Sequence, residues 1–326
     1  MLSWLILSMI ACNGGNDKEG KPDKDTSVDT PPITTDTGPT VNPSTVELGG
    51  RCPLANAWGG FTVVSTSELA LATGAVIDGV LPLSVLEEVG AEGDCVLLRQ
   101  NNPFCNPACA ANETCDFDGN CLPYPLEQDL GTVTIDGLSE PVEMTPTPPG
   151  FSYFFIGLDN PPASAGDLVT LEATGGATID PFTLYGVGST PLELDGEMWV
   201  VDRDIDTVVN WNPPDDGARS WVHILITIDL HGLTPVQVEC DFADTGQGIV
   251  PGALLNQFID FGVTGIPTGK ITRWTVDSTV QGDACIDFSV AATHNPEVDV
   301  IGFTPCHEDE DCPPGETCNQ PFEICE

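Results

Sequence analysis

Short apolar or alternating runs recur along most of the chain, and Gly, Pro, Asn or Asp separates them. Runs of this length that are rich in Val, Ile, Thr and aromatic residues are typical of β-strands. They are FTVVSTS at 61–67, LALATGAVIDGV at 69–80, CVLLR at 95–99, GTVTIDGL at 131–138, FSYFFIG at 151–157, DLVTLEAT at 167–174, FTLYGV at 182–187, EMWVVD at 197–202, TVVNW at 207–211, WVHILITIDL at 221–230, VQVEC at 236–240, ITRWTVDSTV at 271–280 and CIDFSVAAT at 285–293. This pattern predicts an all-β fold of one or more β-sandwiches.

Two segments carry a helical pattern instead. Pro251 to Phe261 reads GALLNQFIDF after a proline, and proline suits the start of a helix. A weaker pattern runs from Ser84 to Val89. We therefore expect one or two short helices beside the strands.

The first residues form a different kind of apolar run, from Leu2 to Ala11. This run is too short to span a bilayer, but its length and its small last residue are typical of a secretory signal. Met9-Ile10-Ala11-Cys12 resembles the lipobox of bacterial lipoproteins, although no Lys or Arg precedes the run. That resemblance implies a diacylglycerol on the Cys12 thiol and cleavage before it. The alternative is a plain signal peptide in which Cys12 is incidental.

The number of cysteines favours the lipoprotein interpretation. The chain has 13 Cys, and an odd number in an exported protein needs an explanation. With Cys12 as the lipid carrier, an even set of twelve remains, and an oxidising compartment would pair it as six disulfides. The set is Cys52, Cys95, Cys105, Cys109, Cys115, Cys121, Cys240, Cys285, Cys306, Cys312, Cys318 and Cys325.

Residues 13–50 consist mainly of Thr, Pro, Asp and Gly with almost no large apolar side chain. Such a segment cannot bury enough surface to offset its ordering entropy, so it is predicted to be a disordered tether. Well-studied lipoproteins that stay in the inner membrane have Asp after the lipidated cysteine, whereas this chain has Asn13. The lipoprotein resemblance therefore implies an outer-membrane location in a bacterial cell envelope, facing the periplasm or the cell surface.

The charge of the chain excludes one class of partner. Its net charge is −41, with 9 Lys and Arg against 50 Asp and Glu, and residues 51–326 hold 37 of these net negative charges. Such a body repels phosphate backbones, so nucleic-acid binding is excluded. We favour solubility as the reason for this acidity. A site for calcium or for a cationic partner is the alternative.

Two cysteine clusters interrupt the strand pattern. Residues 105–121 have the spacing C-x3-C-x5-C-x5-C, and residues 306–325 have C-x5-C-x5-C-x6-C. Both place Glu-Thr-Cys at the third cysteine, and both resemble the EGF-like or Dickkopf-like cysteine-rich modules of myxobacterial-type surface lipoproteins of unknown function. We predict that each module closes its disulfides within itself. Zinc is disfavoured because neither cluster has two separated C-x2–4-C pairs.

The other four cysteines, Cys52, Cys95, Cys240 and Cys285, lie in or beside predicted strands. Four cysteines allow three connectivities, and sequence cannot choose among them. The natural pairing is Cys52 with Cys95 and Cys240 with Cys285, because each bond would stay within one half of the chain.

The domain organisation follows from these segments. GAVIDGVLPLSVLEE and GDCVLLRQNNPFCNPAC resemble parts of the same lipoproteins, AVIDGV is similar to small transthyretin-like sandwiches, and the stretch from Trp211 is similar to fibronectin-type sandwiches. The predicted order is a signal peptide at 1–11, the lipidated Cys and tether at 12–50, a small β region at 51–104, a Cys-rich module at 105–121, the main β-sandwich at 122–305 and a second Cys-rich module at 306–326.

Catalytic motifs are missing from the chain. GxSxG, HExxH, GxxxxGK[ST] and GxGxxG do not occur, so we predict no enzyme and no cofactor. His223 lies in an apolar strand and is interpreted as a satisfied core or outward-facing histidine. Trp199, Trp211, Trp221 and Trp274 could form a sugar-stacking face, but core positions are favoured for each of them.

Calcium is the one metal with a candidate sequence. Asp116, Asp118 and Asn120 in DFDGN resemble the opening of a calcium loop. The full loop needs a bidentate Glu and flanking helices, whereas Cys121 follows here at once. We favour a tight Asp-Gly turn at this place.

The sequence thus predicts a lipid-anchored cell-surface β-sandwich protein with a non-catalytic binding, adhesion or envelope-structural role. Its partners would be the membrane, through the N-terminal lipid, and a protein or glycan ligand. The alternative is an exported polysaccharide-active hydrolase that uses acidic residues, and a cleft with two carboxylates about 5–10 Å apart would favour it.

Overall fold

The computed structural model describes residues 42, 45–148, 150–214, 219–228, 235–263, 267–320 and 323–326. The predicted signal peptide, Cys12 and most of the predicted tether lie outside these residues. Within them, strands dominate and one α-helix is present, α1 (Gly252–Asp260). The all-β fold class that the sequence predicts is therefore confirmed.

The described residues form strands and single 3-10 turns that follow one another along the chain. The strands are β1 (Ala57–Ser65), β2 (Ala70–Val76), β3 (Leu86–Glu92), β4 (Cys95–Gln100), β5 (Glu113–Cys115), β6 (Cys121–Pro123), β7 (Val133–Asp136), β8 (Val142–Met144), β9 (Tyr153–Leu158), β10 (Leu168–Ala173), β11 (Phe182–Val187), β12 (Met198–Val201), β13 (Thr207–Asn210), β14 (Trp221–Ile228), β15 (Val236–Ala243), β16 (Gln247–Val250), β17 (Pro267–Gln281), β18 (Ala284–His294), β19 (Glu297–Val300), β20 (Cys318–Asn319) and β21 (Ile324–Cys325). Single 3-10 turns cover Leu54–Asn56, Pro82–Ser84 and Asp309–Asp311.

One eleven-stranded sheet among the described residues organises the fold. Its order is β3-β4-β15-β14-β17-β18-β1-β2-β9, and β19 joins β12 to β17. β1 runs parallel to β18, although more than 200 residues separate them in sequence. We call the face of this sheet that carries Val222 and Ile224 the inner face, and the face that carries Trp221 and His223 the outer face.

The first core lies between the inner face of β18, β1, β2 and β9 and a second sheet of order β11-β10-β7-β8. Phe61 and Phe288 of the large sheet and Leu171 of the small one are fully buried there. The Tyr153 hydroxyl accepts a hydrogen bond from the Leu130 N–H at 2.8 Å and donates one to the Gly131 carbonyl at 3.1 Å. This half of the molecule is therefore a two-layer β-sandwich, as the sequence predicts.

The second core lies under the inner face of β4, β15 and β14, where α1 and the pair β13–β16 cover it. α1 buries Leu254, Leu255, Phe258 and Ile259 on one side. The Asp206 carboxylate accepts a hydrogen bond from the Gly252 N–H at 2.8 Å, so it satisfies a backbone donor at the helix start. The predicted helix from Pro251 to Phe261 is confirmed.

The second predicted helix is wrong. A single 3-10 turn ends at Ser84, and the chain then enters β3 (Leu86–Glu92). β3 pairs with the neighbouring β4 through most of its length. Hydrogen bonds to an adjacent strand outweigh the modest helical preference of Leu and Glu at these positions.

All twelve cysteines in the described residues form disulfides. In the first module Cys105 bonds Cys115 and Cys109 bonds Cys121; in the second Cys306 bonds Cys318 and Cys312 bonds Cys325. Each module thus links its first cysteine to its third and its second to its fourth. Both modules close within themselves, which confirms that prediction.

The expected pairing of the remaining four cysteines is wrong. Cys52 bonds Cys285, and Cys95 bonds Cys240. Cys95 lies directly opposite Cys240 on the antiparallel pair β4–β15. Cys52 precedes β1, whose first residue is aligned with Cys285 in the parallel partner β18. Both bonds therefore follow strand neighbours rather than closeness in sequence.

The same pairing corrects one domain boundary. Residues 51–104, predicted to be a separate small β region, contribute β1, β2, β3 and β4 to the large sheet. β1 lies between β18 and β2 there, and β4 pairs with β15. These residues belong to the same body as the strands of residues 122–305.

Candidate ligand-binding cleft

A buried ion pair lies beneath a cleft in the described part of the molecule. Arg273 on the inner face of β17 is fully buried and is the largest side chain with no exposure. Its Nε donates to Asp244 Oδ2 at 2.7 Å, and its Nη2 donates to Asp244 Oδ1 at 3.1 Å. Its Nη1 also donates to the carbonyls of Thr190 and Pro191. The guanidinium therefore ties β17 to the loop after β11 and to the turn after β15.

Asp244 receives further donors on the same two oxygens. Trp211 Nε1 donates to Oδ1 at 2.8 Å, and the Ser220 hydroxyl donates to Oδ2 at 2.5 Å. A buried carboxylate is tolerated only when it is paired and hydrogen-bonded, and this one meets both conditions. The cluster fixes the positions of Ser220 and Asp244, which both line the cleft above it.

Two tryptophans lie on the outer face beside these residues. Trp221 on β14 is directly opposite Trp274 on β17. Opposed residues of an antiparallel pair point to the same face, so the two indoles form one aromatic surface. Their outer neighbours in the same row are Ala243 on β15 and Ala291 on β18. Because these neighbours carry only methyl groups, the surface stays open, and Trp221 is 56% exposed.

The cleft has a volume of about 640 Å³, within the range of small-molecule sites. The segment after residue 45 forms one wall, and the ends of β14, β15 and β17 form the other. The lining residues are Leu48, Gly50, Arg51, Arg219, Ser220, Trp221, Asp241, Ala243, Asp244, Trp274 and Val276.

The wall after residue 45 is held to the sheet at several points. The Gly50 N–H donates to the Val276 carbonyl at 3.2 Å, and the Cys52 N–H donates to Asp287 Oδ1 at 2.8 Å. The Cys52–Cys285 disulfide fixes the same segment covalently. The guanidinium of Arg51 lies 5.5 Å from the ring centre of Trp274, within cation–π distance. The geometry of this wall is therefore fixed without a ligand.

Positive charge is concentrated at this place. Residues 51–326 contain only six Lys and Arg, and Arg51 and Arg219 line the cleft while Arg273 lies on the buried side of Asp244. Arg51 Nη1 is 3.7 Å from Glu239 Oε2, and Arg219 donates to the Val46 carbonyl. Two arginines thus share the lining with two aspartates, the partly exposed Asp241 and the buried Asp244. The lining has no net formal charge, although the body around it is strongly acidic.

Asp241 is paired with His223 on the outer face. His223 Nδ1 lies 2.9 Å from Asp241 Oδ1, and the imidazole lies 5.5 Å from the Trp274 ring. Burial alone would raise the pKa of the Asp241 carboxyl, but the hydrogen bond from His223 and the attraction of His223 and Arg51 outweigh it and lower that pKa. Asp241 is therefore an ionised acceptor near neutral pH. His223 faces outward, as one of the two interpretations of the sequence expects.

The tryptophans divide into two groups. Trp199 and Trp211 are buried in the second core, as expected. Trp221 and Trp274 are not, and the core prediction is wrong for exposed Trp221. Strand alternation separates Trp221 from its buried neighbour Val222, and the Trp-initial run WVHILITI carries that signal in the sequence.

Sequence reasoning missed the polar residues of the cleft. Arg51, the adjacent pair Arg219–Ser220, and Asp241 come from three separate segments that only the tertiary fold brings together. One signal was available. In a body with so few basic residues, each arginine marks a place where positive charge has a structural or functional use.

The candidate calcium residues form a turn in which the Asp116 carboxylate accepts hydrogen bonds from other residues of the turn. Asp116 Oδ1 accepts hydrogen bonds from the N–H groups of Asp118 at 3.0 Å and Asn120 at 2.7 Å, and Oδ2 accepts one from the Asn120 side chain at 3.1 Å. Hydrogen bonds from the backbone and side chain of Asn120 lower the pKa of Asp116. The geometry matches the Asp-Gly turn that we favour, and calcium binding stays an untested prediction.

Among the residues that the structure describes, every cluster of three potential metal ligands contains disulfide-bonded cysteines. These clusters lie in the two modules and around Cys52, Cys285 and Asp287. A sulfur in a disulfide is no longer a thiolate ligand. None of these clusters includes a residue of the cleft lining.

No protein-family model matches this chain, and no curated protein matches it significantly. Within the described part of the chain, none of the helices has the length and apolar character that crossing a bilayer requires.

Proposed function

We propose that the chain is an exported, lipid-anchored binding protein of a bacterial cell envelope, attached to the outer membrane through Cys12, with the cleft at Trp221 and Trp274 as its ligand site. The observation that carries this proposal is the cleft itself, in which aromatic surface and polar side chains are already held in place. The six disulfides support export into an oxidising compartment.

The state of the cleft carboxylates supports binding rather than catalysis. Asp244 is already held by Arg273, Trp211 and Ser220. Asp241 is paired with His223, and its pKa is lowered. A glycoside hydrolase needs one carboxylic acid with a raised pKa to protonate the leaving group. The lowered pKa of Asp241 does not meet that requirement, and both oxygens of Asp244 already accept hydrogen bonds.

The anchoring half of the proposal has a direct test. We expect wild-type protein to incorporate an alkyne-palmitate analogue in the native host and Cys12→Ser to incorporate none, since the thiol is the acceptor. The Cys325→Ser variant, which also lacks one cysteine, should be labelled like wild type. Equal labelling of wild type and Cys12→Ser would refute lipidation at Cys12.

The binding half is tested with fractions of the bacterial envelope. Full-length protein in detergent is titrated with peptidoglycan fragments, envelope polysaccharide and outer-membrane proteins, and binding is followed by light scattering and calorimetry. We expect saturable binding to one fraction, with loss of binding in Trp221→Ala. Equal binding by both variants, or binding to none of the fractions, would contradict a ligand site in the cleft. Release of new reducing ends from polysaccharide would favour the hydrolase alternative.

A further inference from the structure

We infer that the ligand of this cleft is an uncharged saccharide, whose apolar ring face stacks on Trp221 while its hydroxyls bind Ser220, Arg51 and Asp241. This inference rests on the proposed function and specifies the ligand class. Its basis is the match between the aromatic, hydrogen-bonding and charge properties of the cleft and those of a sugar ring.

The aromatic surface provides the first condition. Trp221, the first residue of the central strand β14, is 56% exposed, an unusual exposure for so large an apolar side chain. Ala243 beside it leaves the indole uncovered, and Trp274 extends the surface by one strand. A pyranose ring presents C–H groups on one face and can cover such an indole. Polar groups at the ring edge then stay available for hydrogen bonds.

The mixture of donors and acceptors provides the second condition. Arg51 offers only donors, ionised Asp241 offers only acceptors, and the Ser220 hydroxyl can accept while it donates to Asp244. A sugar hydroxyl both donates and accepts, so one ligand class can satisfy all three residues. A purely apolar ligand would bury these groups and leave their remaining hydrogen-bonding capacity unused, which is unfavourable.

The charges of the cleft provide the third condition. Arg51 Nη1 lies 3.7 Å from Glu239 Oε2, and Asp244 is paired with the buried Arg273. Asp241 is hydrogen-bonded to His223. An anionic ligand would meet these aspartates and the net negative field of the body. A cationic ligand would meet Arg51 and Arg219. An uncharged ligand avoids both costs.

Preorganisation provides the fourth condition. Each contact made by an uncharged saccharide is weak. The affinity of a site for such a ligand is therefore higher when its side chains are already ordered before binding. The wall that carries Arg51 is fixed by the neighbouring Cys52–Cys285 disulfide. Asp244 at the base is fixed by the fully buried Arg273. The cleft therefore keeps its geometry without a ligand.

The test uses calorimetry with four defined ligand classes and the full-length protein. Cellohexaose and maltohexaose are the uncharged saccharides, oligogalacturonate is the anionic one, chitosan oligomer is the cationic one, and an anilinonaphthalene dye is the apolar ligand. We expect at least one uncharged hexasaccharide to bind more tightly than the other three classes. Trp221→Ala should weaken this binding at least tenfold, about 1.4 kcal/mol. Phe154→Ala, which removes a similarly exposed aromatic on β9, should leave it unchanged.

Other outcomes separate the ligand class from the function. If a charged saccharide or the dye binds most tightly and Trp221→Ala abolishes that binding, the saccharide class is wrong but the cleft is still a ligand site. If none of the four classes binds, the inference is overturned, and the envelope-fraction titration decides separately whether the cleft binds anything. Saccharide binding that is unchanged by Trp221→Ala would overturn both the inference and the assignment of the site.

Discussion

The two faces of the large sheet differ sharply where β14, β15 and β17 meet. On the inner face, Arg273 is fully buried and every one of its nitrogens donates a hydrogen bond. On the outer face, one residue along the strand, Trp274 is half-buried and its partner Trp221 is exposed. Charge is therefore enclosed on one face while aromatic surface is left open on the other.

Residues that stabilise the fold and residues that we propose bind the ligand therefore lie on opposite faces of the same strands. Alternation sends neighbouring residues of a strand to different faces. The largest loss of stability should therefore come from an inner-face variant such as Arg273→Ala, and the largest loss of binding from the outer-face variant Trp221→Ala.

The largest effect is expected from Arg273→Ala. The substitution leaves the Asp244 carboxylate buried without its cation, and such a loss costs about 3–5 kcal/mol in the free energy of unfolding. Arg203→Ala is the matched control, because it removes an ion pair of the same 2.7 Å length with Asp260 that lies half-exposed at the surface. The control should cost at most about 1 kcal/mol. Both are measured by urea unfolding at neutral pH.

A double-mutant cycle refines this result. Arg273→Met together with Asp244→Asn removes both charges. The amide oxygen can still accept from Trp211, and the Ser220 hydroxyl can turn to accept from the amide NH2. We expect the double variant to be less destabilised than the sum of the two single variants, because no unpaired charge remains. Additive losses would show that the ion pair itself contributes little.

The next effect concerns the disulfide that holds the cleft wall. Replacing Cys52 and Cys285 together by Ser should cost about 2–4 kcal/mol, since the bond closes a loop of 233 residues. It should also weaken ligand binding, because Arg51 lies next to Cys52. Replacing Cys306 and Cys318 by Ser in the terminal module should change neither the unfolding of the body nor the binding. Calorimetric unfolding and ligand titration of the two double variants check this.

The smallest effect is a pair of opposite pH dependences on the outer face. The pKa of Asp241 is lowered, so its contribution to stability is present above its unfolded pKa of about 3.9 and is lost as the pH falls below that value. Burial raises the pKa of Asp287 despite the hydrogen bond from Cys52 and the nearby Arg51. The contribution of Asp287 is therefore present below about 3.9 and is lost as the pH rises through its folded pKa.

At pH 7 we thus expect Asp241→Asn to lower the urea midpoint and Asp287→Asn to raise it. At pH 3, below the unfolded pKa of about 3.9, both differences should shrink, because Asp287 is then protonated and part of the contribution of Asp241 is lost. Changes of the same sign at pH 7 would contradict the environments described for these two residues.

Local patterns in the sequence predicted the strands, the helix at Pro251 and the closed cysteine modules. These features depend on residues close together in the chain, such as the spacing between Cys105 and Cys121. The disulfide between Cys52 and Cys285 could not be predicted in this way. It depends on the parallel pairing of β1 with β18, which joins opposite ends of the body.

Local sequence patterns could not predict the cleft either. Trp211 and Trp221 both begin or end apolar runs, yet Trp211 turns into the second core and Trp221 turns outward. Their directions depend on strand register, and a shift of one residue would exchange them. Arg51 reaches Trp274 only after the segment that follows residue 45 crosses the sheet.

The most direct test of the central claim follows the indole N–H signals of the protein, labelled with ¹⁵N-tryptophan, by NMR during titration with the tightest-binding uncharged hexasaccharide. Trp221 and Trp274 should shift saturably. Trp58 and Trp199, which pack against the first core and within the second, should not move. If the ligand binds while Trp221 and Trp274 stay unchanged, or if Trp58 and Trp199 shift in their place, the outer-face cleft is not the ligand site.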